Sequence, residues 1–360
     1  MLHTASMAPP RARSLLPLAA LLAGCGPTPT PVVQDAAFLV PLSQARSFIP
    51  GREVLPRVLF DRGHALTVTD EPADLYEALG TVGVRLDPCF REGLAGECQP
   101  QLRLVLQPVF DEAGTPTTRD AALHLFFRGT KEEVLTVVQA IALARGERGI
   151  DASGHPTVSH PGFGDQAFRT RVKSALRPFL SADRLVRVTM MGVHASNEAW
   201  MFSGLDLTSG SPVDIPLPTL APAHEHHVTS TGRLLALEVT LDPAPVAEPA
   251  IAPVVAPGGL EASTAEQREA AAAALRRLED PAQHNPGTVD CASCHVAALS
   301  RAHLERAGVA FPGTGHLAPV YQDTRNLRAF GYLFTEPAAS PRLLRESDEV
   351  LDAVTKALAR

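Results

Sequence analysis

From Gln101 to Phe110 the chain alternates, with Leu102, Leu104 and Leu106 on one side and Arg103, Val105 and Gln107 on the other. A period of two marks a β-strand with one apolar face. Ala121 to Phe127 supplies its hairpin partner across the turn Asp111-Glu112-Ala113-Gly114-Thr115-Pro116. Thr130-Lys131-Glu132-Glu133 is a capping box, in which the first hydroxyl and the last carboxylate cover each other's backbone N–H groups. Val134, Leu135, Val138 and Ile141 follow on one side of the helix it opens. A second helix holds Phe168, Val172, Ala175, Leu176 and Phe179, and further strands are expected at Arg184–Met191, Glu198–Leu207 and Arg233–Leu241. This grouping predicts an α+β N-terminal domain over 36–241, an antiparallel sheet covered by two helices.

The pattern breaks at Asp242 to Gly259, where five prolines leave few backbone donors for regular structure. We expect a semi-rigid linker at 242–259 and a separate unit at 260–360. In that unit Ser263 and Glu266 are expected to cap an Ala-rich helix ending near Asp280-Pro281. Val296–Ala307 is expected as a second helix, Phe311–Glu336 as irregular chain, and Glu346–Leu358 as a terminal helix capped by Ser347.

The N-terminus changes the picture of where this chain works. Arg11 and Arg13 precede an apolar run, Leu15–Ala23, that is too short to span a bilayer. Leu22-Ala23-Gly24-Cys25 resembles a bacterial lipobox, in which the cysteine is lipidated and becomes the mature N-terminus. A signal peptide at 1–24 and a Pro/Thr tether at 25–35 are the expectation, because Gly26-Pro27-Thr28-Pro29-Thr30-Pro31 cannot continue a helix. The partner implied is the lipid bilayer, through that anchor, with the body facing the periplasm and the outer membrane the expected site. The formal charge of −7 falls to near −9 without Arg11 and Arg13, and no Lys/Arg cluster offers a phosphate-tracking surface. Nucleic acid is therefore not an expected partner.

Five cysteines are an odd number, so at least one needs a separate role. Cys25 is taken by the lipobox, and Cys89 and Cys98 bracket a short loop suited to a disulfide in an oxidising compartment. Cys291 and Cys294 remain, inside Cys291-Ala292-Ser293-Cys294-His295. That C-x-x-C-H run is the attachment signature of c-type haem. It resembles the c-type cytochromes, and helices before the motif and at the chain end loosely resemble their small class I members over 260–360. The resemblance implies one covalent haem c, with thioethers at Cys291 and Cys294 and His295 as proximal ligand to the iron. It also implies a mainly α-helical, cytochrome c-like C-terminal domain and an electron carrier rather than a catalyst, with a redox partner the sequence does not identify. The class I pattern supplies a distal methionine, but the methionines here are at 1, 7, 190, 191 and 201. His284 and His316, both in Pro/Gly loops, are the candidate distal ligands, and an open sixth position is the other possibility. His303 falls on the proximal helix and is a poor candidate.

Other readings stay open on residues alone. Cys291 and Cys294 could form a structural disulfide in a non-catalytic envelope lipoprotein, or a redox-active dithiol, although the βαβ setting of the latter is missing. Zinc would need a fourth ligand and less crowded spacing. A haem-based sensor with an open iron site is the third possibility. His224-Glu225-His226-His227 is the densest histidine cluster, but it lacks the H-E-x-x-H spacing and lies in a Pro/Ala loop. No phosphate loop, nucleophile elbow or dinucleotide fingerprint is present.

Overall fold

The computed structural model describes residues 29–359 apart from 68–74, 92–95, 120, 195–198, 209, 217–225, 231–238, 243–246, 257, 286 and 312–326. The strands are β1 (Ala37–Leu39), β2 (Leu79–Phe90), β3 (Gln99–Glu112), β4 (Thr115–Thr118), β5 (Ala121–Arg128), β6 (Leu185–His194), β7 (Ala199–Thr208), β8 (Ser211–Asp214), β9 (His226–Ser230), β10 (Val239–Asp242), β11 (Phe330–Leu333) and β12 (Glu336–Ala339). The first ten form one antiparallel sheet in the order β1-β2-β3-β5-β6-β7-β9-β10, with β4 paired to β3 and β8 to β7. The longer helices are α1 (Arg57–Thr67), α2 (Lys131–Glu147), α3 (Gln166–Leu176), α4 (Ala265–Leu278), α5 (Cys291–Arg306) and α6 (Pro341–Leu358).

The apolar face of β3 forms as its alternation predicts. Leu102, Leu104 and Leu106 stand opposite Phe127, Leu125 and Leu123 of β5. These side chains pack against Val134, Val138 and Ile141 of α2 and Phe168 and Val172 of α3. Fully burying an aliphatic or aromatic side chain of this size contributes about 1.5–3 kcal/mol, so this layer is the main source of stability. The box at the start of α2 closes in both directions, Thr130 Oγ1 accepting from Glu133 N and Glu133 Oε2 accepting from Thr130 N.

The second face of the sheet overturns the expected fold of the C-terminal segment. It is not solvated, and the segment after residue 247 does not fold as a helical cytochrome c-like domain. That segment contributes the two-stranded β11–β12 sheet, which packs Phe330 and Tyr332 on Val82, Val105 and Val109. Gln107, fully buried on β3, donates to Tyr332 O at 3.0 Å and accepts from Tyr332 N at 2.7 Å. At the far end, Val350 and Val354 of α6 join the same core as α2 and α3. The molecule is thus an antiparallel sheet with helices on both faces. A polar alternate residue reads as solvent-facing in sequence, and here those positions are roofed by chain more than a hundred residues away.

The proline-rich 242–259 stretch also differs from an extended spacer. Pro249–Ile251 and Ala252–Val255 form helical turns that bury Ile251, Val254 and Val255. Two caps move as well: α4 is capped by Thr264 with Gln267, and α6 by Ser340 with Pro341 in its first turn. Ser347 lies inside α6, where its hydroxyl donates back to Leu343 O at 2.7 Å. Cys89 and Cys98 are joined as expected, with Cα atoms 4.4 Å apart, closing the β2–β3 connection. Among the described residues no helix is long and apolar enough to cross a membrane.

Candidate functional site

Asp290 starts α5, its carboxylate accepting from Ser293 N at 2.7 Å. The C-x-x-C-H run therefore occupies the first helical turn. Spacings of three and four put Cys291, Cys294 and His295 on one face of the helix. All three line a cavity of about 150 Å3 between α5 and the second face of the sheet.

The opposite wall is made by residues that alternate with the apolar core. In one cross-strand row, Arg85 of β2 stands beside Arg103 of β3, then Phe126 of β5 and Arg187 of β6. In the next, Val105 stands beside His124, and His124 beside Thr189. Two residues along a strand separate the rows, about 6.6 Å. Phe330 and Leu343 reach the same space from the C-terminal segment.

Four arginines line the cavity, and three of them are paired with carboxylates. Arg85 is paired with Asp87 at 3.0 Å and with Glu346, and Arg187 with Asp206 at 2.6 Å. Arg342 pairs with Glu346 at 2.8 Å and donates to the carbonyls of Leu278 and His284. Arg103 differs: its guanidinium lies over Phe126 at 4.4 Å, and its Nε has no hydrogen-bond partner among the described residues. Burial, and next the like charge of Arg85, pulls its pKa down to about 9, so it stays protonated at neutral pH at a real desolvation cost. A cation held this way is a ready counter-ion for an anionic group entering the cavity.

His295 is held in one orientation by a backbone carbonyl. Its Nδ1–H donates to Leu327 O at 2.6 Å, which fixes the tautomer and turns Nε2 away from that bond. Burial brings its pKa down to about 4, so the ring is neutral. Phe202 lies against it with ring centroids 4.9 Å apart. The two thiols are not joined to each other. Burial and then the Asp290 carboxylate raise Cys291 to about 12, and burial raises Cys294 too. A redox-active dithiol needs the reverse, a thiolate stabilised at a helix start. Burial thus favours the protonated form of both thiols.

The other candidates lie elsewhere. His284 does not line the cavity: Nε2–H donates to Glu248 Oε1 at 3.0 Å, and Nδ1 lies 3.2 Å from Thr288 Oγ1. His303 is buried on α5 away from the cavity. His316, Cys25, His224 and Glu225 lie outside the described residues. Among the described residues no three His, Cys, Asp or Glu side chains group as a metal site. Sequence reasoning missed His124 and the row of arginines. Their signal was parity: each occupies the polar side of an alternating strand, as Arg103 does between Leu102 and Leu104.

No family model matches this chain, and neither does any curated protein or solved structure.

A porphyrin can be tested against the donor set of this cavity. Two thiols and an imidazole converge on it from one helix face, and the Arg103 guanidinium lines the same space, donor types that would suit the thioethers, the iron and a propionate of haem c. The space of about 150 Å3 is below the roughly 300–1,000 Å3 that buries a drug-sized ligand, so the match is one of donor chemistry and not of volume. The residues fit the group.

Proposed function

We propose that the protein is a monohaem c-type cytochrome that transfers electrons, tethered to the cell envelope by a lipidated Cys25 and facing the periplasm. The observation that carries this is the C-x-x-C-H run in the first turn of a helix, with all three functional side chains turned into one arginine-lined cavity. Cys291 and Cys294 would hold the haem through thioethers. When bound, haem supplies a one-electron iron couple whose potential the surrounding protein sets.

The chain's own groups have defined tasks. The carbonyl of Leu327 orients His295 and holds its proton at Nδ1. Arg103 offers positive charge to a carboxylate. Phe126, Phe330 and Leu343 exclude water from the cavity, lowering the local dielectric. In this reading the haem sits on the sheet of the α+β body. The disulfide between Cys89 and Cys98 supports an oxidising compartment, where haem c attachment and lipidation also belong.

The test is an absorption spectrum of membranes from cells expressing the full chain together with cytochrome c maturation proteins. Haem bands that survive acid-acetone extraction are expected, since thioether bonds resist it. A protein that is exported, folded and free of haem would contradict the proposal and leave an envelope lipoprotein with a partner-binding body.

A further inference from the structure

A histidine that no motif reveals faces the attachment sequence across the cavity. Thirteen histidines are present in the chain, and among the described residues only His295 and His124 line this space. His124 is placed by β5. Leu123 and Leu125 on either side of it are buried in the opposite core, so the pleat sends residue 124 to the α5 side. Val105 and Thr189 stand beside it in register, and Phe126, two residues on, presents its ring 6.5 Å away. The wall it occupies belongs to the centre of the sheet, between β3 and β6, and is held on both edges by ladder hydrogen bonds.

Resting on the haem reading above, we propose that His124 is the sixth ligand to the iron, opposite His295. The alternatives in reach have been taken by other bonds. His284 is engaged by Glu248 and Thr288. Met190 is in the α2–α3 core and Met191 packs with Trp200 and Phe202 beside Arg328, and neither lines the cavity. The ring of His124 is half-buried, lines the cavity and has no hydrogen bond among the described residues.

Its electrostatics agree with this geometry. Burial and then the charge of Arg103 push the pKa of His124 well below the usual histidine value, with Arg85 acting in the same direction. The two imidazoles come from different walls, one from a helix and one from a strand. Two histidines of one rigid helix, such as His295 and His303, cannot meet opposite faces of a macrocycle. The site is thus completed by the sheet, and the roofing of the sheet by α5 is what brings both ligands together. Since methionine at the axial position raises haem potentials, a bis-imidazole site is the low-potential choice.

The experiment uses the full chain co-expressed with the maturation proteins, with haem content read by staining after denaturing electrophoresis. Ferric wild type is expected to be low-spin by electron paramagnetic resonance. His124→Ala is expected to keep the covalent stain, turn high-spin, bind carbon monoxide rapidly once reduced, and return to low-spin on adding imidazole. Should His124→Ala fail to accumulate, His124→Met serves in its place, with a low-spin iron and a raised reduction potential expected. His284→Ala should leave the spectrum as in wild type. A stained His124→Ala or His124→Met protein that keeps the wild-type spectrum and potential overturns the assignment, as does conversion to high-spin by His316→Ala alone. A high-spin stained wild type also overturns it, while leaving the haem reading intact. An unstained wild type removes the haem reading itself, a result distinct from the other three.

Discussion

His160 shows how one side chain shapes the response to pH. It is buried, stacks on Phe168 with ring centroids 4.7 Å apart, and accepts from Gly162 N at Nδ1. A second ring proton would face that N–H, and burial, followed by the charge of Arg145, lowers its pKa to about 4. The unfolded chain takes up this proton near pH 6.5, well before the folded one does. Stability is therefore complete above about pH 6.5 and declines as the pH falls toward 4, by roughly 3 kcal/mol from this residue. Urea midpoints measured between pH 7 and 4 should show that decline, and His160→Gln should flatten it; equal slopes would contradict the assignment. Gln107 acts differently, since it satisfies both backbone groups of Tyr332 inside the protein. Gln107→Leu should lower stability by about 2–3 kcal/mol in chemical denaturation, because a buried N–H and C=O lose their partners. An unchanged midpoint would mean that β11 is held by its apolar contacts alone. At this scale their spacing singled out Cys291, Cys294 and His295, and all three line one cavity. The sequence hid His124 and Gln107, because a polar residue between two leucines has the same pattern whether water or protein covers it.

Among the elements, those with a local cause were legible. The α2 box involves only Thr130 and Glu133, and the strands at β3 and β5 carry unbroken alternation. β2 was missed because Gly80, Gly83 and Pro88 weaken its strand pattern. The glycines answer to tertiary demands: a Cβ on Gly83 would meet the Phe330 ring at 2.9 Å, and one on Gly80 would meet the backbone of Ala45. The β11–β12 hairpin was missed for a similar reason, since Gly331 takes φ 144° and packs against Gln107. Helix α6 carries a buried ionic cluster: Glu346 bonds Arg85 and lies 2.8 Å from Arg342. Burial opposes its ionisation, but the charges of Arg85 and Arg342 prevail and hold its pKa at about 2. Its contribution is present above the unfolded carboxylate value and lost as the pH falls toward 2. Glu346→Gln removes the charge shared by two buried guanidinium groups, which keep Asp87 and the carbonyls of Leu278 and His284, and should cost about 1.5–3 kcal/mol. Thermal denaturation at pH 7 checks this, and a Tm equal to wild type would place the energy of the cluster elsewhere.

For the whole molecule, the chain folds around both faces of one sheet, and the cavity exists only where the last third roofs the first two. Sequence reading separated these parts at the proline-rich stretch, since nothing in a one-dimensional pattern records that Phe330 and Val350 return to the same sheet. The anchor and the cavity are independent in this account. Cys25→Ser should release the protein from membranes with its haem content unchanged, as judged by carbonate washing and haem staining; a variant that stays bound would remove the lipid as the main attachment. The central claim is covalent haem at the α5 cysteines, and intact-mass measurement of the purified, exported full chain tests it most directly. Wild type should carry the mass of one haem beyond the processed chain, and the Cys291→Ser/Cys294→Ser protein should lack it while keeping the Cys89–Cys98 disulfide. A folded wild type at the mass of the bare processed chain, from cells that attach haem to other cytochromes, would contradict the account.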